Sequence, residues 1–261
     1  MLRTRVITTV IGLPVLLGVL FKGGIFWDTF FVLLGMIGLW EFYSMMRQKG
    51  FIPIVLTGYL LLYLLAFYDR LGGLGMVFLF LIFAIVVVGS VIKYPKINIT
   101  DIALSLTGAF YLGGLLYYPI KIATLREPFL VILLVFLLTW TSDTGGYIGG
   151  RLLGKHKLAP RLSPGKTWEG AVGAIIFPII AAGCFSVMAM KNVSPAYVLI
   201  LGLLVGVTAQ FGDLFMSSIK RYFEVKDSGW IIPGHGGVLD RFDSFLMVAP
   251  VVYYYFQFFI R

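Results

Sequence analysis

The chain has 261 residues, of which 59% are hydrophobic and only 13% are charged, and its mean hydropathy is +0.96. A soluble domain is roughly half apolar, so this composition excludes an ordinary water-soluble protein and predicts an integral membrane protein. The 21 Lys and Arg residues outnumber the 12 Asp and Glu residues, which favours anionic lipid head groups or phosphorylated ligands as partners. The basic residues are dispersed among apolar segments, which argues against nucleic acid as a partner.

Apolar segments of membrane-spanning length recur along the chain. A helix needs about 20 apolar residues to cross the hydrocarbon core, and the predicted spans are Val6–Phe21, Ile25–Met46, Ile52–Phe67, Leu74–Ile92, Ile102–Ile120, Phe129–Trp140, Gly170–Met190, Ala196–Met216 and Phe245–Ile260. The first begins with basic residues and has no cleavage motif before Lys22, so we interpret it as a retained span. The sequence predicts one all-α membrane domain over residues 1–261, with about nine transmembrane helices.

The distribution of Lys and Arg orients these spans. With nine spans, fifteen of the 21 basic residues fall on the side of the N-terminus and six on the other side. The positive-inside rule then places the N-terminus in the cytoplasm. The two most polar loops, 141–169 and 217–244, share that side, so we expect one polar site on the cytoplasmic face of an inner or plasma membrane.

The eighth predicted span contains the small-residue motif "GLLVG" at Gly202–Gly206. Glycines four residues apart lie on one helix face and allow close approach of another helix. The motif predicts tight packing, either within the chain or in a homodimer.

The first polar loop contains two fragments of a phosphate-binding P-loop. Gly149–Lys155 satisfies GxxxxGK but is followed by His156 in place of Ser or Thr, and "GKT" at Gly165–Thr167 has Pro160 where the first glycine should stand. Neither fragment is therefore a P-loop. Exposed amides beside basic side chains still predict phosphate binding, although a basic cytoplasmic anchor explains the same charges; the residues are Arg151, Lys155, Lys157, Arg161 and Lys166.

Aspartates near the ends of different spans form a candidate metal site. Asp143 follows the apolar run that ends at Trp140, and Asp213 lies near the end of another span. A carboxylate at that depth is costly unless it is paired or binds a metal, and Asp240 and Asp243 supply further ligands. Mg²⁺ prefers carboxylate and phosphate oxygens. The sequence lacks the cluster of Cys or His residues that would indicate a zinc site. The sequence predicts Mg²⁺-dependent phosphate chemistry at the membrane surface.

Three other polar residues have two interpretations each. Glu41, after Trp40, is either a buried hydrogen-bonding group or the mark of a cytoplasmic span end. Glu169 is suited to pairing with Lys166 or to binding metal. His235, between glycines in "PGHGG", is a turn residue or a ligand-binding residue.

The stretch "SIKRYFEVKDSGWIIPGHGGVLDRFDS", Ser218–Ser244, resembles the signature of the phosphatidate cytidylyltransferase family, also called CDP-diacylglycerol synthases. A second segment, "SDTGGYIGGRLLGKHKLAPRLSPGKTWEG", is similar to another part of that family. The matching signature positions are Ser218, Lys220, Arg221, Lys226, Asp227, Pro233, His235, Gly236, Gly237, Asp240, Arg241 and Asp243.

The resemblance implies a reaction between two polyanions, CTP and phosphatidate, that yields CDP-diacylglycerol and pyrophosphate at the membrane lipid surface. It also implies Mg²⁺, with a second cation in a two-metal centre, held by Asp213, Asp240 and Asp143. The residues expected to be catalytic are Asp213, Asp240, Lys166 and Arg241. The residues expected to bind substrate are Lys220, Arg221, Lys226, His235, Gly236, Gly237, Ser163 and Lys155.

Two other classes of protein would share some of these features. A CDP-alcohol phosphotransferase is also a basic, metal-dependent membrane enzyme, but its DxxDGxxAR core is absent and the chain contains no "DG". A cation channel or secondary transporter is the non-enzyme alternative, since it also uses intramembrane aspartates. It would place carboxylates near mid-membrane and broken helices in both halves, whereas the first half of this chain has few carboxylates.

Overall fold

The computed structural model describes residues 2–190, 193–234 and 236–260, with side chains from Thr8 onward. The described residues form nine α-helices: α1 Leu2–Lys22, α2 Gly24–Gln48, α3 Val55–Ala66, α4 Leu74–Ile92, α5 Ile99–Ile122, α6 Pro128–Leu152, α7 Trp168–Ala189, α8 Pro195–Tyr222 and α9 Leu239–Phe259. A 3-10 turn, Tyr68–Leu71, precedes α4. Six of these helices, α2 and α4 to α8, are long and apolar enough to cross a membrane. The predicted all-α membrane fold is confirmed.

Three predicted span boundaries differ from the helix ends by six residues or more. The sixth helix does not end at Trp140 but continues to Leu152, α8 continues past Met216 to Tyr222, and α9 begins at Leu239, before Phe245. Hydropathy marks where the apolar stretch ends, whereas a helix continues as long as its backbone hydrogen bonds and packing are satisfied. Asp143, Asp213, Asp240 and Asp243 therefore all lie within helices.

Part of the first polar loop is a small sheet that hydropathy does not predict. Strand β1, Lys157–Ala159, pairs antiparallel with β2, Ser163–Thr167, with Lys157 opposite Thr167 and an irregularity before the Ala159–Ser163 pair. Thr167 ends β2 and caps α7, because its hydroxyl oxygen accepts a hydrogen bond from the N–H of Gly170 at 3.1 Å. The hairpin is thus fixed to the start of α7.

The chain divides into two units, Met1–Ile120 with Tyr222–Asp240, and Lys121–Arg221 with Arg241–Arg261. The single domain over residues 1–261 stays a prediction. The core of the first unit includes α2, where Phe31, Met45 and Met46 are fully buried. The Trp27 indole donates a hydrogen bond to the carbonyl of Pro119 at 2.8 Å, and this bond connects α2 with α5.

The second unit is organised by close contact between glycines of α6 and α7. A Cβ added at Gly145 would overlap the carbonyl oxygen of Gly173, and a Cβ at Gly149 would lie 2.9 Å from the carbonyl oxygen of Glu169. Ser142 donates a hydrogen bond to the carbonyl of Ala174 at 2.9 Å. We call this contact the glycine seam; its glycines are Gly145, Gly149, Gly170 and Gly173.

The predicted GxxxG motif packs within the chain. A Cβ at Gly202 would lie 2.8 Å from the carbonyl oxygen of Pro178, and one at Gly206 would lie 2.8 Å from that of Ala174. Both acceptors belong to α7. The motif therefore holds α8 against α7, and the homodimer stays a prediction.

Candidate active site

An ion pair joins the hairpin to α8 in the second unit. The ammonium of Lys166, the fourth residue of β2, lies 2.5 Å from Oδ2 of Asp213. The two side chains are 23% and 39% exposed, respectively. Lys166 precedes the capping residue Thr167, so the cap and the strand together restrict the position of its side chain. The structure thereby brings together two residues that the sequence predicted to be catalytic.

Three carboxylates from different helices lie close enough to repel one another. Asp143 of α6 and Asp243 of α9 each interact unfavourably with Asp213 of α8. We call Asp143, Asp213 and Asp243 the carboxylate cluster. Asp143 is exposed, Asp213 is partly exposed and Asp243 is 8% exposed.

Nearby cations oppose this repulsion. Lys166 and Arg241 interact favourably with Asp143, and Lys220 interacts favourably with Asp243. All three cations were predicted to contact phosphate. Positive charge beside a carboxylate cluster favours an anionic ligand, with or without a bridging cation.

Close packing of α8 and α9 places Asp243 in the cluster. A Cβ at Gly212 would lie 2.9 Å from the carbonyl oxygen of Asp243 and 2.9 Å from Cα of Ser244. Ser244 in turn donates a hydrogen bond to the carbonyl of Ala209 at 3.0 Å. Glycine at position 212 therefore allows the backbones to approach beside Asp213, the next residue.

The cluster has the donor chemistry that Mg²⁺ requires. Among the described residues, no group of three or more His, Cys, Asp and Glu side chains has the arrangement of a complete metal site. Mg²⁺ does not need one, since it commonly binds one or two carboxylates and fills its remaining positions with water and phosphate oxygens. Asp143 and Asp213, which repel each other, fit this pattern.

Glu169 organises the basic hairpin and does not pair with Lys166. Its Oε2 accepts a hydrogen bond from the N–H of Lys155 at 3.1 Å, and its Oε1 lies 2.6 Å from Nδ1 of His156. Lys166 pairs with Asp213 instead.

Three residues predicted to bind substrate lie in or beside the hairpin. The side chain of Lys155 is exposed, and Ser163 is partly buried at the start of β2. Arg221 donates a hydrogen bond to the carbonyl of Leu162 at 3.3 Å.

The remaining predicted residues belong to the first unit, in residues 223–238, which we call the signature loop, and at the start of α9. Oδ2 of Asp240 accepts hydrogen bonds from the N–H of Ser228 at 2.8 Å and from the N–H of Gly237 at 3.2 Å. Gly236 has a φ of +84°, and its carbonyl accepts the N–H of Ile232 at 3.0 Å. Lys226 is exposed. His235 lies outside the described residues.

Sequence reasoning gave too little weight to two carboxylates. Asp243 lies in the carboxylate cluster, although the predicted metal ligands were Asp213, Asp240 and Asp143. Glu41 is fully buried and accepts backbone hydrogen bonds from the start of α9, so its first interpretation, a buried hydrogen-bonding group, is confirmed. The available signal was a carboxylate inside an apolar span, which is costly without partners.

Comparison with known proteins agrees over nearly the whole chain. A family model described as the Cytidylyltransferase family matches residues 3–259. A Staphylococcus saprophyticus protein named phosphatidate cytidylyltransferase is 38% identical over 256 residues, covering 96% of this chain and 97% of that protein. A Bacillus subtilis protein of the same name is 32% identical over 260 residues, covering 97% of each chain.

A third relative, a Staphylococcus epidermidis protein also named phosphatidate cytidylyltransferase, is 36% identical over 262 residues, covering 96% of this chain and 97% of that protein. The matches include both polar segments from which the resemblance was drawn. The enzyme interpretation is confirmed over the channel or transporter alternative: this membrane protein belongs to the cytidylyltransferase family and is a nucleotidyltransferase.

Proposed function

We propose that the chain transfers the cytidylyl group of CTP to phosphatidate. An oxygen of the lipid phosphate forms a new bond to the α-phosphorus of CTP. The bond between that phosphorus and the oxygen bridging to the β-phosphate breaks, and the products are CDP-diacylglycerol and pyrophosphate. The observation that carries the proposal is the match to proteins named phosphatidate cytidylyltransferase along 96–97% of this chain.

The cations around the carboxylate cluster suit this reaction. Phosphatidate and CTP are both anions, and their approach requires positive charge at the reacting phosphates. Lys166 and Arg241 interact favourably with Asp143. We propose that these two side chains, together with Lys220, bind the non-bridging phosphate oxygens of the substrates. The phosphate of phosphatidate is already ionised at neutral pH, so its attack needs no protein base.

Asp213 and Asp143 are the proposed ligands of Mg²⁺, and Asp240 stays a predicted ligand. When bound, Mg²⁺ neutralises negative charge on the reacting phosphates and on the leaving pyrophosphate. Lys166 contributes an ammonium that already lies against Asp213. It is therefore positioned to share its hydrogen-bond donors between that carboxylate and a nucleotide phosphate.

We further propose that the reaction takes place at the cytoplasmic face of an inner or plasma membrane. Support comes from the excess of Lys and Arg on the side of the N-terminus and the two polar loops. The side can be tested with a cysteine at exposed Lys157, in a Cys184→Ser background. A membrane-impermeant maleimide added to intact cells should label this cysteine only after the membrane has been permeabilised.

The proposed reaction is tested with purified protein, phosphatidate, Mg²⁺ and CTP labelled at the α-phosphate. We expect label to enter the lipid fraction, and we expect EDTA or Asp213→Asn to abolish this transfer. Asp28→Asn is a matched control, because Asp28 pairs with Arg70 at 2.6 Å in the other unit, and it should retain the wild-type rate. Folded wild-type protein that labels another acceptor but not phosphatidate would refute the substrate assignment.

A further inference from the structure

Glu41 is a fully buried carboxylate whose partners are uncharged groups near the end of the chain. Its Oε1 accepts a hydrogen bond from the N–H of Val238 at 2.8 Å, and its Oε2 accepts one from the N–H of Leu239 at 2.9 Å. The hydroxyl of Ser228 lies 3.1 Å from the same Oε2. All four residues belong to the first unit.

The two amides lie at the N-terminus of α9, since Leu239 is the first residue of that helix and Val238 immediately precedes it. The first N–H groups of a helix have no partner within it, and a carboxylate placed there satisfies them and interacts favourably with the helix dipole. A side chain of the same segment usually supplies this cap. Here Glu41 supplies it from α2, 197 residues away from Val238.

Two glycines make room for the Glu41 carboxylate. A Cβ at Gly229 would lie 2.5 Å from Oε1 of Glu41, and one at Gly237 would lie 2.6 Å from Oε2 and would overlap the Ser228 hydroxyl. Real Cβ atoms do not approach other atoms this closely. At these two positions the signature loop therefore approaches Glu41 with backbone atoms alone.

Ser228 connects Glu41 to Asp240. Its hydroxyl lies 3.1 Å from Oε2 of Glu41 and 3.0 Å from Oδ2 of Asp240, although a hydroxyl has a single hydrogen to donate. That same Oδ2 also accepts the N–H groups of Ser228 and Gly237. The position of Asp240 is thus coupled, through one shared hydrogen and the loop backbone, to that of Glu41.

We propose that Glu41 is a positioning residue for the transferase reaction, which acts through Ser228 and the capped start of α9 to fix the carboxylate of Asp240. The inference rests on the proposed function, in which Asp240 is a predicted ligand of Mg²⁺. Glu41 itself is not proposed to touch a reacting group. Its contribution is to hold the signature loop in one conformation before substrate binds.

Glu41→Gln in the full-length protein tests this proposal. Glutamine has one oxygen and one NH₂ group, so in either orientation its NH₂ faces the N–H of Val238 or of Leu239. We expect hydrogen exchange to rise about ten-fold at the amides of Ser228 and Gly237, the size expected when one hydrogen bond to a charged group is lost. We also expect the Mg²⁺ concentration for half-maximal rate to rise about ten-fold, for the same reason.

These readouts separate positioning from folding. A loss of folded protein lowers the maximal rate but leaves the Mg²⁺ concentration for half-maximal rate unchanged. Asp101→Asn is the matched control, since Asp101 is another buried carboxylate of this unit and accepts the N–H groups of Ile52 at 2.9 Å and Asn98 at 3.0 Å. It should lower stability without changing loop exchange or the Mg²⁺ requirement.

Increased exchange at Val238 and Leu239 alone, with an unchanged Mg²⁺ requirement, would make Glu41 a local helix cap and overturn the proposal. If Glu41→Gln does not fold, Ser228→Ala removes the connecting hydroxyl, and the same two readouts should change. Wild-type protein that forms no CDP-diacylglycerol would refute the proposed function. The exchange measurement would still decide whether Glu41 positions Asp240.

Discussion

Lys166→Met should impair catalysis far more than folding. The Lys166–Asp213 pair is 2.5 Å long, but its side chains are 23% and 39% exposed, and ion pairs this accessible to water contribute about 0.2–1 kcal/mol to stability. A charge-assisted hydrogen bond to a reacting phosphate contributes about 1.5–3 kcal/mol. At about 1.4 kcal/mol for each factor of ten, kcat/KM for CTP should fall about ten- to hundred-fold.

The assay for Lys166→Met combines transfer of label from CTP with thermal unfolding in the same detergent. Lys22→Met is the matched control, because Lys22 is an exposed lysine at the end of α1 in the other unit; its kcat/KM should stay within about two-fold of wild type. A Lys166→Met protein with a sharply lowered unfolding temperature but unchanged kcat/KM per folded molecule would refute the catalytic assignment. Lys166 would then be a structural partner of Asp213 only.

Two glycine substitutions test the helix contacts around the site. Gly212→Ala places a Cβ 2.9 Å from the backbone of Asp243. We therefore expect thermal unfolding to show a loss of about 1–3 kcal/mol in stability, and we expect a lower transfer rate. Unchanged stability would contradict the close approach of α8 and α9. Gly206→Ala should destabilise the protein, because its Cβ would lie 2.8 Å from the carbonyl oxygen of Ala174. The mass of the purified protein by light scattering should equal that of wild type. A lower mass than wild type would instead assign the GxxxG motif to a dimer.

The sequence predicted the number and order of the helices because apolar runs of spanning length are hard to satisfy in any other way. For α4, the predicted span Leu74–Ile92 coincides with the helix. The end of α6 was not predictable from hydropathy. Most of the twelve residues after Trp140 are polar or small, and they remain helical where Gly145 and Gly149 pack against α7.

The candidate site was predictable in residue type and less so in grouping. Asp143, Asp213 and Lys166 were identified because charge beside an apolar span is costly, and the structure brings them together. The aspartates of "LDRFD" are harder to separate in sequence, since Asp240 and Asp243 both lie in the first turns of α9. Their surroundings differ: Asp240 binds the signature loop, and Asp243 faces Asp213.

The partner of Glu41 could not be inferred from sequence at all. Its carboxylate accepts N–H groups 197 and 198 residues later in the chain, and no local pattern encodes such a contact. The glycines at positions 229 and 237 leave room for the carboxylate beside the loop backbone, but a glycine does not identify the group that approaches it. Which group it is depends on how α2 packs within its unit.

The glycine seam has a consequence for how the protein tolerates changes in temperature and lipid. Gly145 and Gly173 meet through backbone atoms, so neither residue has a side-chain rotamer that can rearrange as the surroundings fluctuate. Asp143 lies two residues before Gly145 on the same helix, so the close backbone contact restricts the position of its backbone. Its carboxylate should therefore keep a nearly constant location in membranes of differing thickness, while the more loosely packed, lipid-facing helices such as α4 absorb the adjustment.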